Sequence, residues 1–177
     1  MGAATLPPLT AMSKKIDFKR CMGKWYVVRT IPNFIEKEGR TFNETETYDW
    51  DEAKQHMKAT LEFSRAPGPA GPRSTMYQRG WVHNWDTQAE WRVAPKLGWF
   101  HLPIKLPYII VDCADDYSHM TVGYPNRSYL WVMARVPHPP EEAVAGMLNA
   151  VESMGYDMSL VMKVPQDWGA AHTQALL

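Results

Sequence analysis

The sequence lacks charge imbalance, is poor in cysteine and contains no long apolar run. Its 19 Lys and Arg are matched by 19 Asp and Glu, so the formal net charge is zero. A polynucleotide binder uses surplus cations to displace counterions from phosphates, so this balance argues against a nucleic-acid partner. The two cysteines, Cys21 and Cys113, are too few for a disulfide scaffold and match no zinc-ligand spacing. No segment approaches the ~20 apolar residues of a membrane-spanning helix, and Tyr108-Ile-Ile-Val111 is only strand-sized. Residues 1–17 have no apolar h-region, and Leu6 stands where a myristoylation pattern needs Ser or Thr. The expected location is cytoplasmic or peripheral to a membrane, or outside the cell if a leader has been removed. There is no glycine-rich phosphate loop, no nucleophile elbow and no H-E-x-x-H. The six His are scattered, so neither a metal nor a cofactor is expected.

What the chain does have is aromatic mass and a period of two. Its 177 residues suffice for one domain, and 12% of them are aromatic, with eight Trp. So many large flat side chains suit a protein that packs around, or holds, something apolar. In His56–Phe63, Met57, Ala59, Leu61 and Phe63 share one face while Lys58, Thr60 and Glu62 share the other, the pattern of a half-buried strand. Similar segments at roughly ten-residue spacing predict strands near 23–30, 43–49, 56–64, 75–83, 89–94, 107–113, 118–123 and 128–135, with a short ninth near 160–164. Residues 65–73 are broken by Pro and Gly, and 95–107 form a long Pro-containing connection with an apolar centre. The period then changes. Val144, Met147, Leu148 and Val151 fall at i, i+3, i+4, i+7, which predicts one amphipathic helix over 139–154, with Gly155 as its cap. The expectation is an all-β protein: an eight-stranded antiparallel up-and-down barrel with one C-terminal helix packed outside. The barrel domain spans 17–165, between an N-terminal extension (1–16) and a C-terminal tail (166–177). Eight strands leave an interior that side chains fill or that holds one small ligand.

Three motifs in order resemble those of the lipocalin family. Gly23-Lys-Trp-Tyr26 resembles its G-x-W, Asp115-Asp-Tyr117 its second motif with the usual Thr replaced, and Tyr129–Arg135 ends on an Arg as its third does. The likeness is greatest to the bacterial outer-membrane lipocalin, apolipoprotein D and plant temperature-induced lipocalin group. It implies a carrier that binds, transports or sequesters a small hydrophobic ligand such as a fatty acid or lysophospholipid, and protection of membrane lipids. In an up-and-down barrel that starts at its closed end, Trp25 and Arg135 meet at the base. Gly23, Trp25 and Arg135 are therefore assigned to barrel closure, through cation–π attraction and donation to main-chain carbonyls.

Parity then nominates the lining. Val27, Met57, Ala59, Leu61, Phe63, Trp91, Val93, Tyr108, Ile110, Tyr129, Trp131 and Met133 are expected to face inward. Tyr48 joins them if its strand is in the assumed register, which also turns Glu44 and Glu46 inward, to be paired by Arg29. Phe34, Trp99 and Phe100 are expected at the entrance, as a lid or as a peripheral membrane contact, the latter by resemblance to the plant proteins. Cys21 and Cys113 both fall near the closed end, as a disulfide or as two free thiols; Cys113 with His119 as nucleophile and base is the enzymatic alternative. No catalytic residue is assigned. A carrier is the main expectation, with an enzyme acting on a barrel-bound lipid, or an interaction module with a filled barrel, as alternatives. A monomer or weak homodimer is expected.

Overall fold

The computed structural model describes residues 6–33 and 40–169. Its strands are β1 (Gly23–Ile31), β2 (Phe42–Asp51), β3 (His56–Ser64), β4 (Arg73–Asn84), β5 (Glu90–Leu97), β6 (Phe100–His101), β7 (Leu106–Cys113), β8 (His119–Gly123), β9 (Leu130–Ala134) and β10 (Met162–Lys163). Eight of them pair antiparallel in the order β1-β2-β3-β4-β5-β7-β8-β9, and β9 returns to β1 to close the barrel. Closure leaves few open edges for aggregation. The period-two residues of β3 are buried on one face; of their register partners, Glu46 opposite Leu61 and Tyr48 opposite Ala59 are buried, while Met76 and Gln78 on the other side are half-buried.

Helix α1 (Glu141–Ser153) starts at Pro140, carries Glu141 and Glu142 in its first turn, and is followed by Gly155 at φ +86°. Acidic side chains suit the positive end of the helix dipole, and a left-handed residue after the last turn suits glycine. Its buried stripe of Val144, Met147 and Val151 packs on the outer face of the barrel, against Val28, Ile31, Leu130 and Val132. This second core explains why β1 is buried on both faces. No helix among the described residues is long and apolar enough to cross a membrane.

Two terminal segments belong to the wall. Residues 6–16 run along it, with Leu9 N–H donating to Pro125 O, Met12 N–H to Ile110 O and Ile16 N–H to Thr87 O. At the other end, β1 pairs with β2 only from Gly23 to Tyr26; beyond a bulge near Val28, β10 takes over at Arg29 and Thr30. The wedge between them is filled by Gln166, whose Nε2 donates to the carbonyls of both Val27 (2.7 Å) and Glu44 (3.0 Å). Trp168 donates to Gln166 Oε1 and meets Tyr26 edge-on. The barrel therefore incorporates residues up to 169, beyond the boundary at 165 that the sequence pattern sets.

Candidate functional site

The base comes first, because it fixes the other end as the opening. Gly23 has φ +89°, a conformation costly for any residue with a Cβ. It also leaves room for the guanidinium of Arg135, whose carbon lies 3.7 Å from the centroid of the Trp25 ring. Arg135 donates to the carbonyls of Arg20, Met22 and Lys24, and Trp25 Nε1 donates to Cys21 O. The plug satisfies the polar groups of the N-terminal turn. Cys21 and Cys113 are buried free thiols in the same core cluster. Hydrogen bonding to Cys113, then burial, pushes the Cys21 thiol far up. Cys113 donates to Ala114 O, while His119 Nδ1 meets Ser118 Oγ, so no thiol–imidazole pair forms.

From the base upward the interior is packed. Val27, Tyr48, Met57, Ala59, Trp91, Ile110 and Met133 belong to one buried cluster with Val82, Met120 and Val122. Nearer the mouth a cavity of about 290 Å³ opens. Val93, Tyr108, Tyr129 and Trp131 line it, joined by Asn33, Met76, Gln78, Pro95, Ile104, Leu106, Pro107 and Tyr124. Of the thirteen residues parity nominates, these four reach the cavity; most of the others pack beneath it, and Leu61 and Phe63 are buried elsewhere in the wall.

A column of rings joins the packed floor to the mouth. Tyr108 stacks on Trp91 (5.9 Å, 9°) and on Trp131 (5.9 Å, 24°), Tyr129 leans on Trp131 at 6.2 Å, and Tyr124 meets Tyr129 at 5.1 Å. Such pairs add about 0.5–1.5 kcal/mol each beyond their burial. Two polar groups are handled inside the column. Trp91 Nε1 donates to Gln88 O, and the Tyr48 and Tyr108 hydroxyls hydrogen-bond to each other. Burial first, then Tyr108 and Glu46, pushes the Tyr48 phenol well above its ordinary value and keeps it neutral.

The second strand departs from simple alternation. A bulge between Phe42 and Thr45 buries Asn43, Glu44, Thr45 and Glu46 together. Arg29 does not partner either Glu, contrary to expectation: its guanidinium turns to Val28 O. Trp99 is 90% exposed and Phe100 41%, at the tip of the β5–β6 hairpin, so neither lines the cavity; Ile104 of the same connection does. Phe34 lies outside the described residues. Met76 and Gln78 were missed because Gly80 and the flanking polar residues give β4 no clear parity.

The family model described as a lipocalin-like domain matches residues 16–166. Temperature-induced lipocalin-1 of Arabidopsis thaliana is 28% identical over 162 residues, covering 86% of this chain and 81% of the relative. Outer membrane lipoprotein Blc of Escherichia coli K12 is 25% identical over 165 residues, covering 93% and 88%. Among solved structures, insecticyanin from the tobacco hornworm Manduca sexta superposes with a TM-score of 0.64 at 16% identity, covering 94% of this chain and 88% of that one. With a closed barrel, one outer helix, an arginine-plugged base and a cavity at the mouth, the chain belongs to the lipocalin family, whose barrels bind small hydrophobic ligands.

Proposed function

We propose that this protein carries or sequesters a single small lipid, a fatty acid or lysophospholipid, in the mouth of its barrel. The observation that supports this reading is the cavity walled by Tyr108, Tyr124, Tyr129 and Trp131 and closed below by packed side chains. Its volume lies at the small end of ligand sites, about 300–1,000 Å³, which suits one acyl chain better than two. Burying apolar ligand surface drives binding at roughly 25 cal/mol per Å² before ordering costs. Asn33, Gln78 and the tyrosines are the polar residues of the lining, and a head group would meet them there. The exposed tip formed by Leu97, Trp99 and Phe100 beside the entrance favours exchange and lipid protection at a membrane surface.

Native mass spectrometry of the purified protein, with organic extraction of what it carries, tests the reading. A bound fatty acid or lysolipid supports it. A bare protein whose Trp fluorescence fatty acids do not quench overturns it in favour of an interaction module. Conversion of the bound lipid would overturn it in favour of an enzyme.

A further inference from the structure

A second concavity lies over β3, β4, β5 and β6, where Lys58, Tyr77 and Arg79 share the face of the sheet opposite to Met57 and Gln78. Its volume is about 430 Å³, and it is lined by His56, Met57, Lys58, Tyr77, Gln78, Arg79, Lys96 and His101, with no carboxylate. In the β3–β4 register Lys58 and Arg79 stand directly opposite each other. Like charges at opposed positions destabilise a sheet, and here no carboxylate lines the groove to offset them. The Lys58 ammonium lies 4.9 Å from the Tyr77 ring centroid and that of Lys96 5.7 Å, so one aromatic ring gathers two cations. Lys105 continues the basic surface over Trp81 at 4.6 Å.

Several cations elsewhere have anionic or carbonyl partners: Lys14 with Asp115, Lys19 with Glu52, Lys54 with Asp51, Arg92 with Glu90, and Arg127 and Arg135 with main-chain oxygens. Among the described residues Lys58, Arg79 and Lys96 make no ion pair with a carboxylate. Asp49, opposite Lys58 on β2, is exposed and forms none with it; Asp51, opposite His56, is engaged by Lys54. Burial first, then Arg79, Lys96 and His56, lowers the pKa of His101. His56 Nδ1 is buried and has no hydrogen-bond partner. A protein of zero net charge has thus concentrated cations on one concave surface.

We propose that this outer groove is a binding site for a phosphate-bearing group, held by Lys58, Arg79 and Lys96 and flanked by Tyr77 and His101. An anion there would offset the Lys58–Arg79 repulsion, and the guanidinium offers the fork that phosphate oxygens fit. The groove shares Gln78 with the cavity lining, but its cations stand on the opposite face of the sheet. The phosphate is either that of a soluble phosphomonoester or that of a phospholipid head group.

The test is isothermal titration calorimetry of the full chain with glycerol 3-phosphate at fixed ionic strength, beside flotation with vesicles of phosphatidylglycerol or of phosphatidylcholine alone. The proposal expects saturable binding of glycerol 3-phosphate, or a preference for phosphatidylglycerol vesicles; the first identifies a soluble ligand and the second a head group. The double variant Lys58→Gln with Arg79→Gln should weaken that binding by about tenfold or more. Lys15→Gln, on the exposed N-terminal segment, should leave it unchanged. Unchanged fatty-acid quenching of Trp fluorescence in the double variant shows that the barrel is intact. Failure to bind either probe overturns the proposal, as does binding that the double variant retains at full strength.

Discussion

The two ends of the barrel use the same residue types for opposite purposes. At the base an indole and a guanidinium are pressed together, and the Trp25 Nε1 and three Arg135 donor contacts end on main-chain oxygens. At the mouth the rings of Tyr108, Trp131, Tyr129 and Tyr124 stack in a column along one side of an open volume. The difference lies in what completes the packing. At the base the chain itself covers the aromatic face; at the mouth the rings border a cavity. An aromatic-rich barrel therefore need not be filled or empty throughout: here the filling stops part-way up.

That contrast can be broken from either side. The largest effect is expected from Trp25→Ala, which removes a side chain with no solvent exposure. A loss of about 3–5 kcal/mol is expected, read from the denaturant midpoint, with fatty-acid affinity kept under native conditions. Trp131→Arg should do the reverse. It places a cation against the cavity wall, so affinity in a fluorescence titration should fall by roughly 100-fold or more, while the midpoint moves much less than for Trp25→Ala. Gln166→Ala leaves the Val27 and Glu44 carbonyls without their donor, and should cost about 1–3 kcal/mol without changing affinity. The smallest effect concerns pH. Burial raises the Tyr48 phenol above its ordinary 10.0 in the fold. Above that pH the unfolded chain loses a proton that the folded one keeps, so stability should fall as pH rises past about 10. Tyr48→Phe should flatten that part of the denaturation-versus-pH curve.

The base was legible from sequence because it depends on strand direction alone. Gly23-Lys-Trp25 at the start of one strand and Arg135 just after another must meet if an even number of strands alternates. The cavity was only partly legible. Parity says which side of the sheet a side chain faces, not how high along the barrel axis the packed column reaches. Trp91 and Tyr108 share an inward face, yet Trp91 belongs to the floor and Tyr108 to both floor and wall. The bulge at Phe42–Thr45 buries two consecutive faces of β2, which no alternation encodes. The β5 strand runs through Pro95, and β6 adds two residues within a stretch that reads as a loop, so the mouth hairpin was underestimated. The outer groove needed register: Lys58 and Arg79 each look like an ordinary surface cation until β3 and β4 are aligned.

The wedge between β1 and β2 has a consequence for how the molecule is made. The partner that bridges Val27 and Glu44 lies 139 residues beyond Val27. While the chain is being synthesised, the upper part of β1 therefore has an unpaired margin for as long as residues 162–169 are still to come. Long-range closure of this kind is slow, and an unpaired strand margin invites association between nascent chains.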